Sequence, residues 1–86
     1  MKKAAISPAQ QKVLDALALH GALERRRSGH WTAAGVAETQ RGVPEWYVNP
    51  NALYALLGRR LVLVTDRTRL GEPCLVALAP AARVTL

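Results

Sequence analysis

The chain has 86 residues, half of them hydrophobic, with twelve Lys and Arg against six Asp and Glu, a net charge of +6 and a pI near 10.5. That length allows one small domain with a single core and excludes an active site built from several layers. The composition is that of a globular chain, and the basic excess in so short a sequence points to a polyanion, most simply nucleic acid.

Other classes recede on simple counts. Cys74 is the only cysteine, so no intramolecular disulfide can form. It lies in the apolar run PCLVALA and reads as a buried structural thiol, which suits a reducing, cytoplasmic setting. The opening MKKAAISP is charged but lacks the apolar stretch of a secretory signal. No apolar run approaches the roughly 20 residues that span a bilayer, so no membrane role is expected. His20, His30 and Cys74 fail the count and spacing of a metal site, no cofactor motif is present, and no Ser, His and acid are arranged for nucleophilic catalysis. An enzyme is not expected.

In chain order, residues 1–6 read as a basic tail, and 7–86 as the domain. Ser7-Pro8-Ala9-Gln10 combines an N-cap, a proline at the first helical position and the capping-box glutamine. Val13, Leu14 and Leu17, completed by Ala18, make a buried stripe, with Lys12 and Asp15 off it. His20-Gly21 supplies a stop, which gives a first helix over about 8–19. Ala22-Leu23-Glu24 reads as a last turn, Arg25 to Gly29 as a basic loop, and His30-Trp31 as a short strand. Thr32 can cap a second helix, Ala33 to about Gln40, with Val36 and Ala37 inward and Gly35 weakening it. Pro44 ends that region. Trp46 and Tyr47 are expected to plug the gap between the second and third helices.

Asn49-Pro50 again joins a cap to a proline, and Leu53, Leu56 and Leu57 form one stripe of a third helix over about 50–60. The period then changes to the β-branched run 61–65, a strand. Residues 66–73 are polar with Gly and Pro, a hairpin tip, and 74–79 return as a second strand. Pro80 to Arg83 leaves the sheet, and Val84 to Leu86 packs back or frays.

Helix, helix, helix and hairpin in fewer than 90 residues resembles the winged helix-turn-helix superfamily of DNA-binding domains. The pieces that carry the likeness are Ser7–Leu19, Thr32–Gln40 and Asn49–Arg60, with Leu53 to Val62 similar to the end of a recognition helix running into a wing. The resemblance implies an α+β fold, a small winged helix domain of three helices plus a C-terminal two-stranded β-hairpin wing. It implies double-stranded DNA binding by a small transcriptional regulator. The chain departs from the family at 41–48, where a long turn with Pro44, Trp46 and Tyr47 replaces a tight one.

On that reading Asn51 suits adenine, Arg59 guanine or phosphate, and Tyr54 phosphate or a thymine methyl. Arg59, Arg60, Arg67 and Arg69 put four arginines against one acid, Asp66, within eleven residues. Together with Arg25, Arg26 and Arg27 they complete the candidate nucleic-acid contacts. Two rivals remain: an adaptor that docks a protein through Trp31, Trp46 and Tyr47, and a binder of structured RNA. On the DNA reading a homodimer through the first helix or the wing edges is possible, since operators usually pair two half-sites.

Overall fold

The computed structural model describes residues 6–80. Two helices, α1 (Pro8–His20) and α2 (Pro50–Gly58), pack on a four-stranded antiparallel sheet made of β1 (Leu23–Arg25), β2 (Trp31–Thr32), β3 (Val62–Arg67) and β4 (Pro73–Leu78). The spatial order is β2-β1-β4-β3. The expected three helices with a two-stranded wing are therefore corrected to two helices and four strands.

Helix α1 forms as its caps dictate. The Ser7 hydroxyl accepts from the Gln10 amide, and the Gln10 side chain accepts from the Ser7 amide in return. Gly21, at φ 85°, closes the far end, and its N–H donates to Leu17. Val13, Leu14 and Leu17 are buried, but Ala18 is exposed and adds nothing to the stripe. Ile6, the last residue of the predicted tail, packs against the core. The rest of the predicted tail, 1–5, and the predicted 84–86 segment lie outside the described residues.

Gly21 ends α1 outright, so the predicted last turn over 22–24 is a strand instead. Leu23 pairs with Val76 and Glu24 with Leu75, so β1 bridges the hairpin β3–β4 to β2. Alternation puts Leu23, Val62, Val76 and Leu78 on the helix side, where all four are buried. Each such side chain contributes about 1.5–3 kcal/mol by leaving water. Trp31, 1% exposed, fills the core at the β2 end; the core is not purely aliphatic.

The predicted second helix is absent. Thr32 is a fully buried strand residue and cannot cap a helix. Gly35 takes φ 86° in a turn closed by Val36 N–H to Ala33 C=O, a left-handed conformation that interrupts any helix over 33–40. Val36 packs on the core, whereas Ala37 is exposed. Residues 37–45 then fold back on themselves through Glu45 N–H to Ala37 C=O and Thr39 N–H to Val43 C=O. With no second helix there is no gap for Trp46 and Tyr47, which are 36% and 50% exposed. Val48 instead anchors the segment, its N–H donating to Trp31 C=O.

Helix α2 is shorter than predicted. Asn49 caps it through Oδ1, which accepts from the amides of Asn51 and Ala52. At the other end Leu61 N–H reaches Leu56 C=O, and Arg60 N–H reaches Leu57 C=O. These two bonds make a Schellman motif with Arg60 at the left-handed position, φ 64°. The buried residues are Ala52, Leu53 and Leu56, with Leu57 partly buried beside them. Strands β3 and β4 match the predicted hairpin within two residues at each end. Their register shifts between Val64 and Arg67, which leaves Thr65 and Cys74 as extra residues. Cys74 is only partly buried.

Candidate nucleic-acid interface

Three hairpin turns share one geometry. In each, a residue's N–H donates to the carbonyl four residues on, and a glycine three residues on donates back to that first residue. The sets are Arg26, Gly29, His30; Thr39, Gly42, Val43; and Thr68, Gly71, Glu72. Gly29, Gly42 and Gly71 all have φ between 80° and 93°, the three-residue loop that ends in a left-handed glycine. Each loop carries an exposed arginine: Arg27, Arg41 and Arg69. None of the three guanidinium groups has a hydrogen bond or ion pair among the described residues.

Strand pairing decides where these tips lie. β1 runs antiparallel to β4, so the turn after β1 and the turn before β4 are at the same end of the sheet. The Arg25–Glu72 ion pair at 3.5 Å joins them. Arg25, Arg27, Arg67 and Arg69 therefore gather there. Arg59 and Arg60 precede β3 and belong to the opposite end, about 17 Å away along a six-residue strand. Four arginines that are close in sequence thus divide into two groups.

Not all of them are available to a ligand. Arg26 is committed inside the protein. Its guanidinium donates to Glu38 Oε2 and to the Ala33 carbonyl, each at 2.9 Å, and Nε lies 2.6 Å from Glu24 Oε2 as an ion pair without an aligned hydrogen bond. The bond to Glu38 holds the Arg26 pKa above its ordinary value; desolvation opposes this, and the charges of Glu24 and Glu38 support it. This clamp ties the 33–45 segment to the sheet. Arg67 donates to the Gly71 carbonyl at 2.8 Å and so shapes the tip that presents Arg69. Arg25 shares its charge with Glu72, an exposed pair of small energetic weight. Arg59 reaches Gln10 Oε1 at 3.4 Å. The Arg60 guanidinium is exposed and has no partner among the described residues.

On α2, Asn51 and Tyr54 point outward as expected. Among the described residues the Asn51 side chain makes no hydrogen bond, while Tyr54 Oη accepts from Trp31 Nε1. A hydroxyl has its own proton besides its lone pairs, so Tyr54 can still donate to a phosphate oxygen. Trp31 is buried and cannot belong to the docking patch expected of it.

A separate surface lies beside α1. An open groove of about 920 Å³ runs between that helix and residues 46–51. Trp46 stacks on His20 with ring centres 5.2 Å apart, and Tyr47 lies 4.3 Å from His30. The exposed Leu19 shares this groove. Sequence reasoning missed Arg41 and the kinship of the three turns. The signal was there as a glycine in the fourth position of RRSG, TQRG and TRLG.

Among the described residues, no group of three or more His, Cys, Asp or Glu gathers as a metal site, and no helix is long and apolar enough to cross a membrane. Comparisons of the chain with protein-family models, with curated proteins and with solved structures return no match.

Proposed function

We propose that this domain binds double-stranded DNA, with the arginine-bearing end of the sheet on phosphates and α2 presented beside it. The observation that carries the reading is the convergence of two hairpin tips at one end of the sheet. Each places an arginine, Arg27 or Arg69, clear of every carboxylate among the described residues. A protein that only needed a soluble loop would gain as much from paired charges; unpaired guanidinium groups suit phosphate. Arg60 adds a second contact point about 17 Å away, which suits the two strands that flank a groove. Asn51 and Tyr54 supply what base reading there is. A role in transcriptional regulation belongs to the same proposal and stands or falls with duplex binding.

The test is titration with a random-sequence duplex at several salt concentrations. The reading expects a log–log slope of about −3, which drops in magnitude by about two when Arg27 and Arg69 are both replaced by Ala. Binding no tighter than millimolar at low salt, or an unchanged slope, would overturn it. Preference for a structured RNA of equal length over the duplex would replace DNA by RNA as the ligand. A second reading, a protein-docking adaptor, is favoured by the aromatic groove beside α1. It predicts partner binding that survives the arginine changes and is lost on Trp46→Ala.

A further inference from the structure

The face of α1 turned away from the core reads the same in both directions. Val13, Leu14 and Leu17 are buried. At about 100° per residue, Pro8, Lys12, Asp15 and Leu19 fall in one narrow arc directly opposite them. All four are exposed, and Leu19 is 79% exposed. Their spacing is four, three, four. A two-fold axis that passes outside this face, at the level midway between Val13 and Leu14, therefore sets Lys12 opposite Asp15 of a second copy, and Pro8 opposite its Leu19. The pattern is complementary to itself in charge and in shape.

The charges lack ion partners among the described residues. The Lys12 ammonium has neither a hydrogen bond nor an ion pair there, and the Asp15 carboxylate accepts only from the Gln11 side-chain amide at 2.9 Å. Ala9 and Ala16 flank the stripe and leave room for a second helix at the usual 8–10 Å. The groove shared by Leu19, His20 and Trp46 then borders the contact and can receive its rim.

We infer that α1 pairs antiparallel with α1 of a second copy of this chain, forming an isologous homodimer held by two Lys12–Asp15 pairs and by Leu19. A 13-residue helix is about 20 Å long, so the interface falls at the small end for stable complexes. The dimer is expected to form at roughly micromolar to tens of micromolar concentration. This inference is independent of the nucleic-acid reading and is tested without nucleic acid.

The test is analytical ultracentrifugation of the full chain in low salt, from about 1 to about 500 µM. The expected mass rises from 9.3 kDa to twice that value. Lys12→Glu and Asp15→Lys, made singly, each set like charges face to face and weaken the dimer by about tenfold or more. The double variant restores opposite charges and recovers the wild-type constant within about threefold. Leu19→Glu abolishes the dimer with unchanged circular dichroism, since the side chain is outside the core. A chain that stays monomeric throughout overturns the inference and leaves the groove to a different partner. A dimer indifferent to both single changes, or a double variant no better than either, places the interface elsewhere and also overturns it.

Discussion

The indole N–H of Trp31 donates to the phenolic oxygen of Tyr54 over 3.4 Å, joining a core side chain that is 1% exposed to one that is 48% exposed. It is a polar thread from the centre of the domain to the outward face of α2. Tyr54→Phe removes the acceptor and strands a buried donor. The bond is long, so the expected loss is about 1 kcal/mol, at the low end for such a group. Urea unfolding checks this as a lower midpoint with an unchanged slope. Duplex affinity should fall as well, by a similar amount at every salt concentration, because a neutral hydroxyl releases no counterion.

Arg60 occupies a backbone position that favours glycine. With φ at 64° it pays the steric penalty of a side chain in the left-handed region, about 1 kcal/mol. Arg60→Gly should therefore stabilise the domain by about that amount, since both Schellman hydrogen bonds use backbone atoms. If the guanidinium meets phosphate, the same change weakens duplex binding and lowers the salt slope by about one. Opposite signs for stability and binding in one variant would mark a residue kept for its ligand.

Gly35 gives a test of the corrected fold. In a helix over 33–40, Gly35→Ala would stabilise by about 1 kcal/mol. In the turn described above, φ is 86° and a β-carbon is strained even though nothing lies within 4 Å of it. The expected outcome is destabilisation by about 1 kcal/mol, read as a lower thermal midpoint. The sign alone decides.

Arg26 should act locally. Arg26→Met keeps the packing of the stem but loses the links to Glu38 and Ala33. Amide exchange at Thr39 and Glu45, whose N–H groups close the 37–45 hairpin, should quicken by about tenfold or more, with α1 little changed. Its pH dependence has a definite sign. A guanidinium whose pKa is raised in the folded state stabilises fully below its ordinary value and loses that contribution only as pH climbs past the raised value. Across neutral pH the clamp is therefore constant on the arginine side.

Both helices and the β3–β4 hairpin were legible because their signals are local. Ser7-Pro8 and Asn49-Pro50 mark starts by hydrogen-bond chemistry that acts within three residues, and the β-branched run after Arg60 cannot continue a helix. The missing pieces depend on contacts distant in sequence. Leu23-Glu24-Arg25 is too short to announce a strand, and it becomes one only because β4, some fifty residues later, offers an edge. Residues 33–40 are Ala-rich and look helical, but Thr32 is taken up by β2 and the Arg26 clamp draws the segment back. Of the candidate site, the residue types were readable and their grouping was not. Arg26 looked like its neighbours in RRR, and only folding shows that one of the three faces inward.

The irregular register of β3 bears on how the protein avoids unwanted company. β3 and β2 are the two outer strands of the sheet; β3 exposes backbone groups that a neighbour's strand could zip onto, whereas Val48 bridges Trp31 on the far side of β2. β2 offers just two residues, while β3 is kinked at Thr65 and carries Asp66 and Arg67 where a flat edge would continue. Neither rim can template a growing ribbon, so the sheet ends where the fold ends. Fibril-like stacking is thereby discouraged even at high concentration, which leaves the α1 face inferred above as the route by which copies meet, where contact is finite and reversible.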